Sequence, residues 1–224
     1  MLTSNCYTMK YSIITLIIFT LSVGLVRSKN MNSDPLTEGG NTQEIYFAGG
    51  CFWGTEHFFK QINGVKSTEV GYANGKTKNP TYDIVSNTKS GYAETVKVRY
   101  DPEKVALKTL IELYFKTIDP TSLNRQGNDI GEQYRTGIYY KDEKDLSVIK
   151  TCIAALSKNY LKPLAIEVKP LTNFYKAEEY HQDYLDKNPQ GYCHIDPALF
   201  EMARKANQDT TKNKVKDSKK NSTH

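Results

Sequence analysis

The segment Tyr46-Phe-Ala-Gly-Gly-Cys-Phe-Trp-Gly-Thr-Glu56 sets a cysteine directly after two glycines and two residues before the chain's single tryptophan. A cysteine sulfur does nucleophilic or redox chemistry when it is ionised and reachable. The run Glu44–Ala48 ahead of the glycines reads as strand and the residues after them as helix, which puts Cys51 at a helix N-terminus. Unpaired backbone N–H groups and the helix dipole favour an anion there, so the Cys51 thiol is expected to ionise more easily than usual. Gly49 and Gly50 allow a sharp turn and leave room for a bound molecule, and Phe52 and Trp53 supply an apolar wall beside the sulfur. The same pattern also fits an unreactive cysteine packed at a tight strand-to-helix turn. A cysteine hydrolase would need a histidine base. His57 lies about 240° further round the helix, on the wrong side, and nothing in the sequence fixes where His181 sits. A redox thiol needs no base and often uses a second cysteine to resolve its oxidised form.

Three further cysteines are present, Cys6, Cys152 and Cys193, and no Cys-x-x-Cys pair. That argues against a thioredoxin-type redox pair and against a zinc ribbon. Cys152 falls on an apolar helical stripe with Ile149, Ile153 and Leu156 and reads as core. Cys193 lies in Asn188–Asp196, a turn-rich segment with Pro189 and Gly191. Zinc binding by Cys193 and His194 lacks the remaining ligands.

Around these residues the hydrophobic period alternates between two and 3.6. Strands are predicted at Glu44–Ala48, Val65–Ala73, Glu94–Tyr100, Arg135–Tyr140 and Leu164–Pro170. Helices are predicted at Phe52–Ile62, Leu107–Ile118, Asp142–Leu161 and Glu178–Leu185, with Asp119-Pro120 stopping the second. The first six elements run β-α-β-β-α-β, the split βαβ order of the ferredoxin-like plan. The expected fold is therefore α+β, a two-layer sandwich with a mixed sheet and extra C-terminal strand and helices. Two long loops, Asn74–Gly91 and Thr121–Tyr134, carry no predicted element, and such loops in a compact domain are often functional.

The 224 residues fit one domain with extensions at both ends. Lys10 leads an apolar run from Tyr11 to Val26, followed by Arg27-Ser28-Lys29. Residues 1–28 read as a signal peptide cut before Lys29, giving an exported protein; the alternative is a membrane anchor over residues 11–26. Cleavage would remove Cys6 and two basic residues, lowering the net charge from +5 to +3. Residues 29–42 read as linker, 43–202 as the folded domain, and 203–224 as a polar, disordered tail. The positive charge is mild, and no basic stripe with interleaved aromatics occurs, which excludes a nucleic-acid reading.

Six motifs occur in order: "GGCFWGTEHFF" (Gly49–Phe59), "GYANG" (Gly71–Gly75), "PTYDIV" (Pro80–Val85), "GYAETVKVRYDP" (Gly91–Pro102), "NRQGNDIGEQYRTGIYY" (Asn124–Tyr140) and "EYHQDYL" (Glu179–Leu185). Together they resemble the type A peptide methionine sulfoxide reductases, over about Ile45 to Cys193. The resemblance implies that Cys51 attacks the sulfoxide sulfur and that Phe52 and Trp53 receive the substrate methyl. Glu94 is implied to protonate the sulfoxide oxygen, with Tyr82 and Tyr134 as donors to it and Asp129 holding the polar network. His181 and Gln182 match a motif as well and read as mainly structural. The family reduces the S epimer, free or in peptides, without a metal or flavin. Sulfoxide chemistry suits these residue types: the oxygen leaves only when protonated, and a carboxyl near aromatic surface stays protonated near neutrality. Cys193 is implied to resolve the Cys51 sulfenic acid as a disulfide; a fixed structural disulfide is the alternative. No cysteine follows Cys193, so the expectation is one disulfide relay, a thioredoxin-like reductant, one epimer reduced and a monomeric protein-repair enzyme. The competing class is an exported, disulfide-stapled binding protein without turnover.

Overall fold

The computed structural model describes residues 41–206. The leader or anchor reading of residues 1–28, nearly all of the linker, and the tail from residue 207 lie outside the described residues. Among the described residues no helix is long and apolar enough to cross a membrane.

The chain runs β1 (Gln43–Ala48), α1 (Phe52–Lys60), β2 (Val65–Ala73), α2 (Tyr82–Asn87), β3 (Ala93–Tyr100), α3 (Leu107–Tyr114), β4 (Arg125–Gln126) and β5 (Asp129–Ile130). A 3₁₀ turn (Glu132–Tyr134), β6 (Gly137–Tyr140), α4 (Glu143–Ser157), β7 (Glu167–Pro170) and β8 (Phe174–Lys176) follow. A second 3₁₀ turn (Glu179–His181), α5 (Tyr184–Lys187) and α6 (Pro197–Lys205) complete it. Six strands form one sheet in the order β7-β6-β1-β3-β2-β8, and β4 and β5 form a separate hairpin. β3 is antiparallel to both β1 and β2, so β1 and β2 run parallel with β3 inserted between them. That is the split βαβ arrangement expected from the sequence. The sheet is mixed because β7 joins β6 in parallel.

β1 sits mid-sheet and is apolar on both faces. Ile45 and Phe47 enter the large core under the helices, where Phe47 stacks on Phe59 at 4.6 Å and meets Tyr114 at 5.0 Å. Tyr46 and Ala48 point to the other face, into a small cluster with Ala73, Ala93 and Tyr139 that Leu171 and Phe174 cover. This second cover explains why Ala93 and Thr95 of β3 are as buried as Val96 and Val98.

Three parts depart from the sequence reading. The Asn74–Gly91 loop contains α2, capped by Thr81, whose hydroxyl accepts the Ile84 N–H. The predicted helix at Glu178–Leu185 is split. Gln182 leaves helical geometry to act as a strand surrogate: its side chain accepts the Val70 N–H at 3.0 Å and donates to the carbonyls of Val70 and Ala177. Asp183 then takes a left-handed conformation, φ 54°, with its N–H held by Glu56 at 2.8 Å. Finally, α6 carries the chain past Met202 to Lys205. Ala203, placed in the polar tail by composition, is fully buried as the end of the stripe that begins at Phe200.

The strand-to-helix turn that carries Cys51 is fixed from three sides. Gly50 has φ +79°, a region that disfavours any side chain, and a Cβ there would meet Gln126 at 2.7 Å. The Thr55 hydroxyl donates to the Gly49 carbonyl at 3.1 Å. Tyr114 packs over Gly49, donates its hydroxyl to the Ala48 carbonyl at 2.6 Å and accepts the Gly137 N–H at 3.2 Å. Removing that hydroxyl strands a buried carbonyl and a buried N–H. Tyr114→Phe is therefore expected to lose about 1–3 kcal/mol, read as a lower urea midpoint with an unchanged m-value.

Candidate active site

Cys51 is the N-cap residue of α1 and is 7% exposed. Opposite it, β3 delivers Glu94. This residue lies on the same strand face as Val96 and Val98, at the end of an apolar row, and pairs across the sheet with Tyr72. Its Oε2 accepts the Phe52 backbone N–H at 3.0 Å, so the carboxyl caps the helix that Cys51 begins. Burial pushes the Glu94 pKa up to about 8, against the opposing pull of that N–H. At neutral pH the group is a carboxylic acid able to donate a proton.

The expectation of an easily ionised Cys51 is corrected. Burial drives the thiol well above its ordinary range, ionisation of Glu94 would raise it further, and the Trp53 backbone N–H offsets only part of the effect. Among the described residues no cation acts on the sulfur to reverse the balance, so the helix N-terminus loses to desolvation and the resting Cys51 is a neutral thiol. It is not in a disulfide; Cys51, Cys152 and Cys193 are all free.

Tyr82, the first residue of α2, and Tyr134, in the 3₁₀ turn before β6, reach this spot from two different loops. Their phenols interact with each other, with Glu94 and with Cys51, and both are raised by burial first. Tyr82 is placed by Glu178, which accepts the Tyr82 N–H at 2.8 Å and the Tyr72 hydroxyl at 2.7 Å. Tyr134 is placed by its neighbours: Glu132 accepts the Gly91 N–H, and Arg135 donates to the Gly91 carbonyl and to Glu167. Asp129, on β5, accepts the Tyr192 hydroxyl at 3.1 Å and lies 4.0 Å from His194 Nδ1. Five of the six residues expected to do chemistry, Cys51, Glu94, Tyr82, Tyr134 and Asp129, therefore converge on one place.

The aromatic wall is layered. Phe52 is buried against Tyr72 and His181 at 6.0 and 5.0 Å. Trp53 is partly exposed, stacks on Tyr184 at 3.7 Å, and donates its indole N–H to His181 Nδ1 at 3.1 Å. Because Nδ1 accepts, the His181 proton sits on Nε2, and burial holds the ring neutral. His181 thus orients Trp53 rather than serving Cys51 as a base. His57 instead binds Asp186 at 2.9 Å and packs edge-on against Phe200. Cys152 is buried beside α3, where it lines a groove with Phe115 and Leu156.

Cys193 is half-buried, in the segment between α5 and α6. A Cβ built on Gly54, one turn into α1, would lie 3.0 Å from its Sγ. The glycine at position 54 is thus what allows the second sulfur to approach the Cys51 helix. Sequence reasoning does not single out Glu178 or Tyr192, and it weighs His194 only as a zinc ligand. For Glu178 the only signal is an acid just ahead of a recognisable motif. For His194 it is adjacency to Cys193.

Comparison with known proteins agrees with this geometry. The family model for peptide methionine sulfoxide reductase matches residues 43–214. Peptide methionine sulfoxide reductase MsrA of Lachnoclostridium phytofermentans is 59% identical over 162 residues, covering 72% of this chain and 98% of that relative. The Clostridium perfringens protein of the same name is 58% identical over 153 residues, covering 68% and 98%. Among solved structures, reduced Mxr1 of Saccharomyces cerevisiae superposes with a TM-score of 0.66 at 38% identity, covering 69% of this chain and 91% of Mxr1. Methionine sulfoxide reductase A of Corynebacterium diphtheriae gives 0.63 at 36% identity, covering 70% and 80%. A match over nearly the whole length of such relatives, on a shared fold, leaves one conclusion: this chain belongs to the peptide methionine sulfoxide reductase family and is an enzyme that reduces methionine sulfoxide.

Proposed function

We propose that this enzyme reduces the S epimer of methionine sulfoxide, in proteins, peptides or free, with Cys51 as nucleophile and Glu94 as acid. The observation that carries the reading is the buried Glu94 carboxyl, protonated at neutral pH and pinned by the Phe52 N–H at the start of the Cys51 helix. Phe52 and Trp53 take the methyl group of the substrate. Tyr82 and Tyr134 donate hydrogen bonds to its oxygen without introducing charge. Asp129 anchors the far rim through Tyr192.

The neutral Cys51 thiol fits this scheme once Glu94 is given two tasks. It donates its proton to the sulfoxide oxygen, and the carboxylate that results takes the thiol proton as the Cys51 sulfur attacks. The acidity of each group depends on the charge of the other, so the two transfers are coupled. Net, oxygen passes from the methionine sulfur to the Cys51 sulfur. The substrate sulfur gains two electrons, Cys51 loses two and becomes a sulfenic acid, and Glu94 ends protonated again.

Cys193 then resolves the sulfenic acid as a Cys51–Cys193 disulfide, supported by its approach to α1 over Gly54. A thioredoxin-like dithiol reduces that disulfide. We further propose that the enzyme acts as a monomer on oxidatively damaged proteins. The apolar run at Tyr11–Val26 favours export or membrane anchoring.

These assignments separate cleanly in single-turnover work. With excess dithiothreitol and a peptide carrying methionine S-sulfoxide, Cys51→Ser is expected to form no methionine, whereas Cys193→Ser forms it; with no added thiol, Cys193→Ser forms about one methionine per enzyme and accumulates a Cys51 sulfenic acid by intact mass. With thioredoxin as sole reductant, Cys193→Ser stops after about one methionine per enzyme; cycling at the parent rate would remove Cys193 from the scheme.

Glu94→Gln keeps the shape and loses the proton, and is expected to slow the first methionine by about 100-fold or more. The parent rate should fall as pH rises through about 8, the Glu94 value, and a flat profile would count against Glu94 as the donor. Stability moves the same way. The folded-state pKa lies above the ordinary carboxyl value of 4.5, so the contribution of the neutral carboxyl is complete at low pH and is lost as pH climbs from about 4.5 to about 8. Glu56, raised to about 7, adds to the same slope. Urea midpoints at pH 5 and pH 8 should therefore differ less in Glu94→Gln than in the parent, yet still differ.

A further inference from the structure

His194 has no part in the reductive step, yet it is built into the site. Its side chain is only 4% exposed. Among the described residues neither ring nitrogen has a well-aligned hydrogen-bond partner, although the Gly49 backbone lies close enough to favour the protonated ring. Leaving two polar atoms buried and unpartnered costs stability, and a packing role alone would be served better by an apolar ring. The imidazole is lodged between the two sulfurs' supports. A Cβ on Gly50, beside Cys51, would lie 3.0 Å from His194 Nε2. A Cβ on Gly54 would lie 3.4 Å from Nδ1 and 3.0 Å from Cys193 Sγ. Asp129 Oδ2 stands 4.0 Å from Nδ1 on the remaining side.

The resolving reaction needs such a group. Cys193 is half-buried, and burial, together with the nearby Asp129, keeps its thiol protonated. Its S–H points to the Ile195 carbonyl at 3.6 Å, which cannot take the proton. A thiol attacks a sulfenic acid as thiolate. The leaving hydroxide is poor unless it gains a proton. A neutral imidazole can do both, and the Asp129 carboxylate would steady it while it is charged.

We propose that His194 accepts the Cys193 thiol proton as that sulfur attacks the Cys51 sulfenic acid, and delivers it to the departing hydroxide. The S–S bond forms, the Cys51 S–O bond breaks, Cys193 is oxidised, the Cys51 sulfur is reduced by one electron equivalent, and water leaves. No further reductant or oxidant is needed. This role rests on the assignment of Cys193 as the resolving thiol.

The test follows one turnover of the reduced full-length enzyme with methionine S-sulfoxide peptide, quenched and read by intact mass. Methionine and Cys51–Cys193 disulfide are timed separately. His194→Gln, near in size and not basic, is expected to release methionine within about twofold of the parent rate and to form the disulfide about 100-fold more slowly, the scale of general-base loss. In His194→Ala, added imidazole should speed disulfide formation, while pyrazole, a ring of the same size but scarcely basic, should not. Parent-rate disulfide formation in His194→Gln overturns the proposal, as does equal rescue by both azoles, which would assign His194 to packing. If the parent itself forms no Cys51–Cys193 disulfide, the resolving assignment fails first, and the two failures are thereby told apart.

Discussion

The bond from the Phe52 N–H to Glu94 Oε2 is the constraint on which the site depends. It ties the first turn of α1 to the middle of the sheet and fixes a carboxyl opposite the sulfur at the helix start. Because one oxygen accepts that N–H, the proton is directed to the other. A helix N-terminus ordinarily welcomes a carboxylate. Here complete burial wins, and the acid stays neutral. Fold stability and proton supply therefore hang on one hydrogen bond.

A neutral, 7%-exposed Cys51 also changes how the enzyme is protected. A permanently ionised, open thiolate would react with any peroxide that reached it and climb to irreversible oxidation states. Under the proposed mechanism the sulfur becomes reactive when a sulfoxide accepts the Glu94 proton and leaves a base beside it. Selectivity is in this way coupled to activation: the substrate's own oxygen completes the proton circuit.

Much of this was readable from the chain. The split βαβ order follows from alternating periods, and Cys51 is marked by its glycines and by the chain's single tryptophan. Glu94 is marked only by the family resemblance; by period alone it is an acid that opens an alternating strand. Its burial was not legible, because β3 is covered on both faces and its first residues do not alternate in exposure. The Cys51 ionisation went the other way from its sequence reading because dipole and capping are local, whereas desolvation is set by residues 40 or more positions away. Tyr82 and Tyr134 could not be told from the other tyrosines by period alone. They sit in loops whose geometry depends on long-range side-chain contacts, Glu178 in one case and Arg135 in the other. Gln182 defeats a helix prediction for the same reason: an amide side chain completes a strand ladder 112 positions away.

The sheet ends in two short strands, β7 with four residues and β8 with three, bearing Lys169 and Pro170 on one and Lys176 on the other. An exposed, long, flat edge is a template on which another chain can add a strand, and brevity, lysine and proline all discourage it. For the proposed work on oxidatively damaged proteins, blunted borders offer a partly unfolded client no strand to join and leave its oxidised side chain as the point of attachment.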